Sequence, residues 1–138
     1  MMGEEQARQG VGGRWLVDGM NLIGSRPDRW WNDPDRAVRR LVEELDRYAR
    51  ATGEDVTVVF DGGTVGPIPT RLGLGPVEVV FTDAGRTADD EIVARTNAAP
   101  PDRPVVVVTS DNELRARVTT LGATVTRSPA LLGLATAR

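Results

Sequence analysis

Val105-Val106-Val107-Val108-Thr109-Ser110-Asp111-Asn112 is the stretch that decides the fold. An unbroken run of β-branched residues from Val105 to Thr109 suits a central strand buried on both faces, the mark of a parallel sheet covered by helices. The run passes directly into Ser110, Asp111 and Asn112, so polar groups stand at the carboxyl end of the strand, the edge beside which α/β sheets bind ligands. Three other places repeat the pattern: Trp15-Leu16-Val17-Asp18-Gly19-Met20-Asn21, Val58-Val59-Phe60-Asp61-Gly62-Gly63, and Thr87-Ala88-Asp89-Asp90-Glu91.

Outward from that run, Arg14 to Asp18 reads as a first strand ending in a Gly-containing turn. Asp33-Pro34 opens a helix with a favoured N-cap and a favoured first-turn proline. Ala37, Val38, Leu41, Val42, Leu45, Tyr48 and Ala49 form its apolar stripe, and Gly53 marks its exit. Val56 to Phe60 is the second strand. Gly62 to Pro76 holds five Gly and three Pro and reads as a loop, a substrate-facing flap or a plain connection, with Arg71 near its middle. Val77 to Phe81 resumes as a strand, and a helix from Thr87 must stop before Pro100-Pro101. Leu114, Val118 and Leu121 share a helical face that Gly122 ends, Ala123 to Thr126 is a fifth strand, and Ser128-Pro129 caps a last turn through Leu134. Strands alternating with helices predict an α/β fold, a three-layer α/β/α sandwich around a mainly parallel five-stranded sheet.

With 138 residues and 14.9 kDa the chain suits one domain, expected over 14–138 after a polar, Gly-rich, flexible tail at 1–13. That tail lacks the basic-then-apolar pattern of a secretory signal, and no stretch approaches the roughly 20 apolar residues of a membrane helix, so a cytoplasmic setting is expected. There is no Cys and no His. Thiol nucleophiles, Cys/His zinc sites and imidazole acid–base chemistry are thereby excluded. A metal here must accept oxygen ligands, which suits Mg²⁺ or Mn²⁺, with Ca²⁺ also open. All 17 basic residues are Arg, yet the net charge is −3 and the pI about 5.0, so any phosphate partner must be held locally rather than by a broad positive field.

Each acidic cluster also has a purely structural reading. Asp18 with Asn21, and Asp61 before Gly62-Gly63, are common turn formers. Thr87 with Asp90 makes a capping box, as does Ser110 with Glu113, which leaves Asp111 without a structural duty. The conjunction favours chemistry. Carboxylates converging on one rim repel one another unless some are protonated or a cation lies among them.

By motif order and spacing over roughly 14–132, the chain resembles the NYN-domain, PIN-like ribonucleases, in particular their compact bacterial YacP-like branch. The matching elements are Asp18-Gly19-Met20-Asn21, Phe60-Asp61, Thr87-Ala88-Asp89 and Thr109-Ser110-Asp111, with Met20 standing where the family usually has an aromatic residue. The resemblance implies a PIN-like, Rossmann-like sheet and a Mg²⁺- or Mn²⁺-dependent nuclease site. Its catalytic, metal-holding acids would be Asp18, Asp89 and Asp111, with Asp90 and Asp61 as further metal ligands and Asn21, Ser110 and Asn112 in support.

The expected activity is hydrolysis of RNA phosphodiesters. Arg71 and Arg39 are candidate substrate contacts, Arg26, Arg29 and Arg36 in the segment before Arg39 are further candidates for holding phosphate, and Trp30 and Trp31 are candidates for base stacking or for core anchoring. Two alternatives stay open: a catalytically idle module binding RNA or protein through the same rim, and a ribonuclease toxin held by an antitoxin. A homodimer stays open too.

Overall fold

The computed structural model describes residues 14–25, 29–62 and 75–127. The expected tail at 1–13, the turn after Ser128 and most of the Gly/Pro-rich loop, Arg71 included, lie outside the described residues, as does Arg26.

Five strands form one sheet: β1 (Arg14–Asp18), β2 (Asp55–Phe60), β3 (Glu78–Phe81), β4 (Val105–Val108) and β5 (Thr124–Thr126). Their order is β3-β2-β1-β4-β5, and every neighbouring pair is parallel. β1 takes the middle place and the valine run β4 lies beside it. The chain builds outward from β1 in one direction through β2 and β3, then returns to the other side of β1 for β4 and β5. The gap between the carboxyl ends of β1 and β4 is therefore the point where strand order reverses, the usual ligand crevice of an open parallel sheet.

Among the described residues four helices cover the two faces: α1 (Gly19–Gly24), α2 (Pro34–Thr52), α3 (Ala88–Ala98) and α4 (Asn112–Thr120). Successive strand residues point to opposite faces. Val17, Val56, Val58, Phe60 and Val108 pack against Leu22 and Ile23 of α1 and Val38, Leu41 and Leu45 of α2. Leu16, Val59, Val105 and Val107 pack on the other face against Ile92 of α3 and Leu114 and Val118 of α4. The result is the three-layer sandwich that the alternation predicts. A fully buried Leu or Ile in such a layer contributes roughly 1.5–3 kcal/mol. Among the described residues no helix is long and apolar enough to cross a membrane.

α2 follows its sequence signals closely. The Asp33 carboxylate accepts from the Arg36 backbone N–H at 3.1 Å, Pro34 is the first helical residue, and Gly53 ends the helix with φ of 73°, a left-handed conformation that glycine adopts without a Cβ clash. At the amino edge of the sheet, Glu54 accepts from the Trp15 indole and, at 3.0 Å, from the Tyr48 hydroxyl, tying the end of α2 to β1. Burial, and then that bond to Glu54, holds the Tyr48 phenol above its usual range.

The structure corrects several expectations. Asp18 is followed directly by helix α1 rather than by an open turn. β3 begins at Glu78, because the backbone N–H of the buried Val77 is taken by Asp46 Oδ1 at 3.1 Å instead of a strand partner. Leu121 lies past the end of α4 and is 40% exposed, so the buried stripe stops at Val118.

Candidate active site

The carboxyl ends of β1, β2 and β4 and the start of α3 enclose a crevice of about 400 Å³ lined by Asp18, Met20, Asn21, Asp61, Asp89 and Asp111, with Thr87 and Ala88 at its side. Asp18 is the last residue of β1 and is buried. Its Oδ2 accepts from the Thr109 hydroxyl at 2.9 Å, and the same hydroxyl oxygen accepts from the Asp111 backbone N–H at 3.1 Å. Thr109, only 1% exposed, thus joins the end of β1 to the start of α4. The residue is visible in the sequence as part of Thr109-Ser110-Asp111, but its bridging role depends on a partner 91 positions away.

Asn21 makes a second tie across the strand reversal. Its Oδ1 accepts from both the backbone N–H and the hydroxyl of Ser110, at 2.9 and 3.0 Å. Ser110 is therefore not the cap of α4, contrary to the capping box expected with Glu113. Asp111 is the cap: its Oδ1 accepts from the backbone N–H groups of Glu113 and Leu114 at 2.8 and 3.2 Å. That structural duty falls on one oxygen, Oδ1, and Asp111 lines the crevice as well. Asn112, the first residue of α4, is exposed.

On α3 the acids separate by role. Thr87 caps the helix by accepting from the Asp90 N–H at 3.1 Å. Glu91 bonds to Arg86 and Arg95 at 2.9 and 2.7 Å, and these two bonds, that to Arg95 first, draw its pKa down. The Asp90 carboxylate lies 3.5 Å from Arg117 and does not line the crevice. Asp89 alone of the three faces the crevice. Arg39 pairs with Asp35 one turn before it at 3.1 Å and is not among the residues that line the crevice.

The electrostatics are those of crowded carboxylates. Burial pushes the Asp18 carboxyl up to about 6; the Thr109 bond opposes the rise, and the charges of Asp89 and Asp111 add to it. Asp89 is also raised, first by burial and then by the charge of Asp111. A divalent cation would favour the charged form of both carboxylates and so offset these costs, and the oxygen-only donor set fits Mg²⁺ or Mn²⁺. Among the described residues no three acidic side chains are gathered tightly enough to hold an ion by themselves. Mg²⁺ does not require that, since it retains several waters and commonly binds through one or two carboxylates.

Residues 15–136 match the model of the YacP-like NYN domain. Over 80 residues the chain is 38% identical to the uncharacterized protein YacP of Bacillus subtilis strain 168, a stretch that covers 56% of this chain and 47% of the relative, so the chain spans about half of that protein's length in the match. Crystal structures of Rae1 (YacP) from Bacillus subtilis superpose with a TM-score of 0.78 at 29% identity, covering 89% of this chain and 73% of that one, and, for a point mutant, 0.75 at 29% identity, covering 91% and 76%. NYN domains are generally nucleases of PIN-like fold, and PIN-like nucleases generally use divalent metals. A parallel sheet with acids at its strand reversal, matched in sequence over nearly its whole length, makes this chain a member of the YacP-like NYN domain family.

Proposed function

We propose that this protein is a Mg²⁺- or Mn²⁺-dependent endoribonuclease whose reaction takes place in the crevice of Asp18, Asp89 and Asp111. The observation that carries the reading is the convergence of these three acids where the strand order reverses, with two of them raised by burial and by neighbouring negative charge.

Asp18, Asp89 and Asp111 would hold the ion, with Asp61 and Asn21 on the same crevice wall. When bound, a divalent ion supplies a water of lowered pKa and offsets negative charge at the phosphate. The protein's own part is positioning. Thr109 fixes Asp18, the cap bonds fix Asp111, and the Asn21–Ser110 pair holds the two strand ends at constant separation. With no His and no Cys in the chain, no side chain with an ordinary pKa near 7 serves as a base. Hydrolysis by water leaves 5′-phosphate and 3′-hydroxyl ends.

An idle binding module is the second reading, favoured by the absence of a tight three-acid cluster among the described residues. Incubating end-labelled RNA with the protein and Mn²⁺, Mg²⁺ or EDTA separates the two. Cleavage with either ion, stopped by EDTA, supports the nuclease; binding without cleavage supports the module. Primary products with 2′,3′-cyclic phosphates would reject water as the attacking group.

A further inference from the structure

A second cavity, of about 430 Å³, opens between the 3₁₀ turn Trp30–Asn32 and the first two turns of α2. Arg29, Arg36 and Arg40 line it together with Trp30, Asn32, Asp33 and Ala37. Like charges brought to one cavity repel, so such a set calls for an anion. Among the described residues two acids meet that demand in part, Glu44 and the cavity's own Asp33. Arg40 pairs with Glu44 at 3.6 Å, the Asp33 carboxylate is engaged in capping α2, and Arg29 and Arg36 have no ion pair among the described residues.

The backbone gives a second, independent sign. Arg29 has φ of 55° and is the only non-glycine with positive φ among the described residues. A long side chain held in the left-handed region, where glycine would be at ease, is a local cost that commonly accompanies function. Beside it, the Trp31 ring is 62% exposed and meets Trp30 edge to face.

Position along the fold links this cavity to the acids. α2 ends at Gly53, next to Asp55 at the amino edge of the sheet, where Asp55 pairs with Arg14. Counting back from there at about 1.5 Å per residue, Arg36 lies roughly 25 Å along the helix, whereas β1 spans only about 13 Å from Arg14 to Asp18. The start of α2, with Arg36, therefore lies toward the carboxyl edge, the edge that carries the crevice. Met20 and Trp30 pack against the same side of the core.

We propose that the Arg29–Arg36–Arg40 cavity is a substrate subsite that holds a phosphate of single-stranded RNA away from the cleaved bond, with Trp31 as the stacking platform for an adjacent base. The proposal rests on the nuclease reading above. It also explains how a chain of net charge −3 can retain RNA, through a local guanidinium cluster in place of a wide basic surface.

The test is fluorescence anisotropy of a fluorescein-labelled, unstructured RNA of mixed sequence in EDTA, across a salt series, with cleavage in Mn²⁺ measured in parallel. Arg29→Ala with Arg36→Ala should weaken binding about tenfold or more and lower the salt slope by about 0.7 for each phosphate no longer neutralised. Trp31→Ala should weaken binding about tenfold while leaving that slope unchanged. Arg29→Gly relieves the backbone and should melt no lower than wild type, yet bind RNA less tightly, a combination that a purely structural arginine would not produce. Wild-type binding and cleavage with unchanged affinity in all these variants would overturn the subsite alone. A wild type that neither binds nor cleaves RNA would overturn the nuclease reading and the subsite with it.

Discussion

The Thr109 hydroxyl donates to Asp18 Oδ2 at 2.9 Å, joining residues 91 positions apart across the point where the strand order reverses. Because the same oxygen accepts from the Asp111 N–H, its single proton is committed to Asp18. One small buried side chain thus sets the relative position of two of the three principal acids.

Thr109→Val keeps the shape and removes both bonds. It should cost about 1–3 kcal/mol, since a buried carboxylate and a backbone N–H are left without their partner. RNA cleavage should fall with it, while Thr109→Ser should retain most of both. Thermal melts and cleavage rates of the two variants check this, and equal behaviour of Val and Ser would remove Thr109 from the account.

Metal-free stability should depend on pH through Asp18. Its folded pKa of about 6 lies above the ordinary 3.8, so between these values the folded state binds more protons and stability falls as pH rises. The loss should be on the order of 3 kcal/mol and complete above about pH 6. Glu91, drawn down by its arginines, acts in the opposite sense: it stabilises above its unfolded pKa and loses this as pH falls through its folded value. Asp18→Asn leaves the Glu91 effect in place, so the gap between wild type and variant isolates Asp18. In EDTA the variant should gain on wild type as pH rises from 4 to 6; parallel curves would contradict the assignment.

A divalent ion at about ten times its dissociation constant should stabilise the wild type by roughly 1.4 kcal/mol, a melting shift of a few degrees. Asp89→Asn should abolish the shift. Asp111→Asn should do so too without unfolding α4, because Asn is itself a good N-cap. The same shift in wild type and both variants would place the ion elsewhere.

Gly19 supports the crevice through close packing. A Cβ added there would lie 2.5 Å from the ring of Phe60, which is fully buried and stacked on Phe81 with ring centres 5.2 Å apart. Gly19→Ala should therefore cost about 1–3 kcal/mol by overpacking and displace the start of α1 next to Asp18. Gly24→Ala, which meets nothing within 4 Å, is the control and should be near neutral. Equal melting temperatures for the two would show that Phe60 yields freely.

The sheet and α2 were legible because their signals are local: the β-branched runs of β2 and β4, the Asp33-Pro34 start and the Gly53 stop act within a few residues. α1 was not, since six residues with glycine at both ends carry no readable period, and its stability comes from burying Leu22 and Ile23. The choice of cap for α4 was equally hidden. Ser110 and Asp111 are both good caps in sequence, and the choice between them turns on Asn21, 89 positions away, which engages Ser110. The rim of acids could be read from strand ends alone; the separation of Asp89 from Asp90 needed the helix start and the placement of Arg117.

The most direct measurement is the single-turnover rate of RNA cleavage in Mn²⁺ by wild type and by Asp89→Asn, the acid that lines the crevice without capping a helix. The wild type should cleave to 5′-phosphate and 3′-hydroxyl ends, and the variant should be slower by at least about 100-fold with an unchanged fold in metal-free buffer. Comparable cleavage by the two proteins would contradict this.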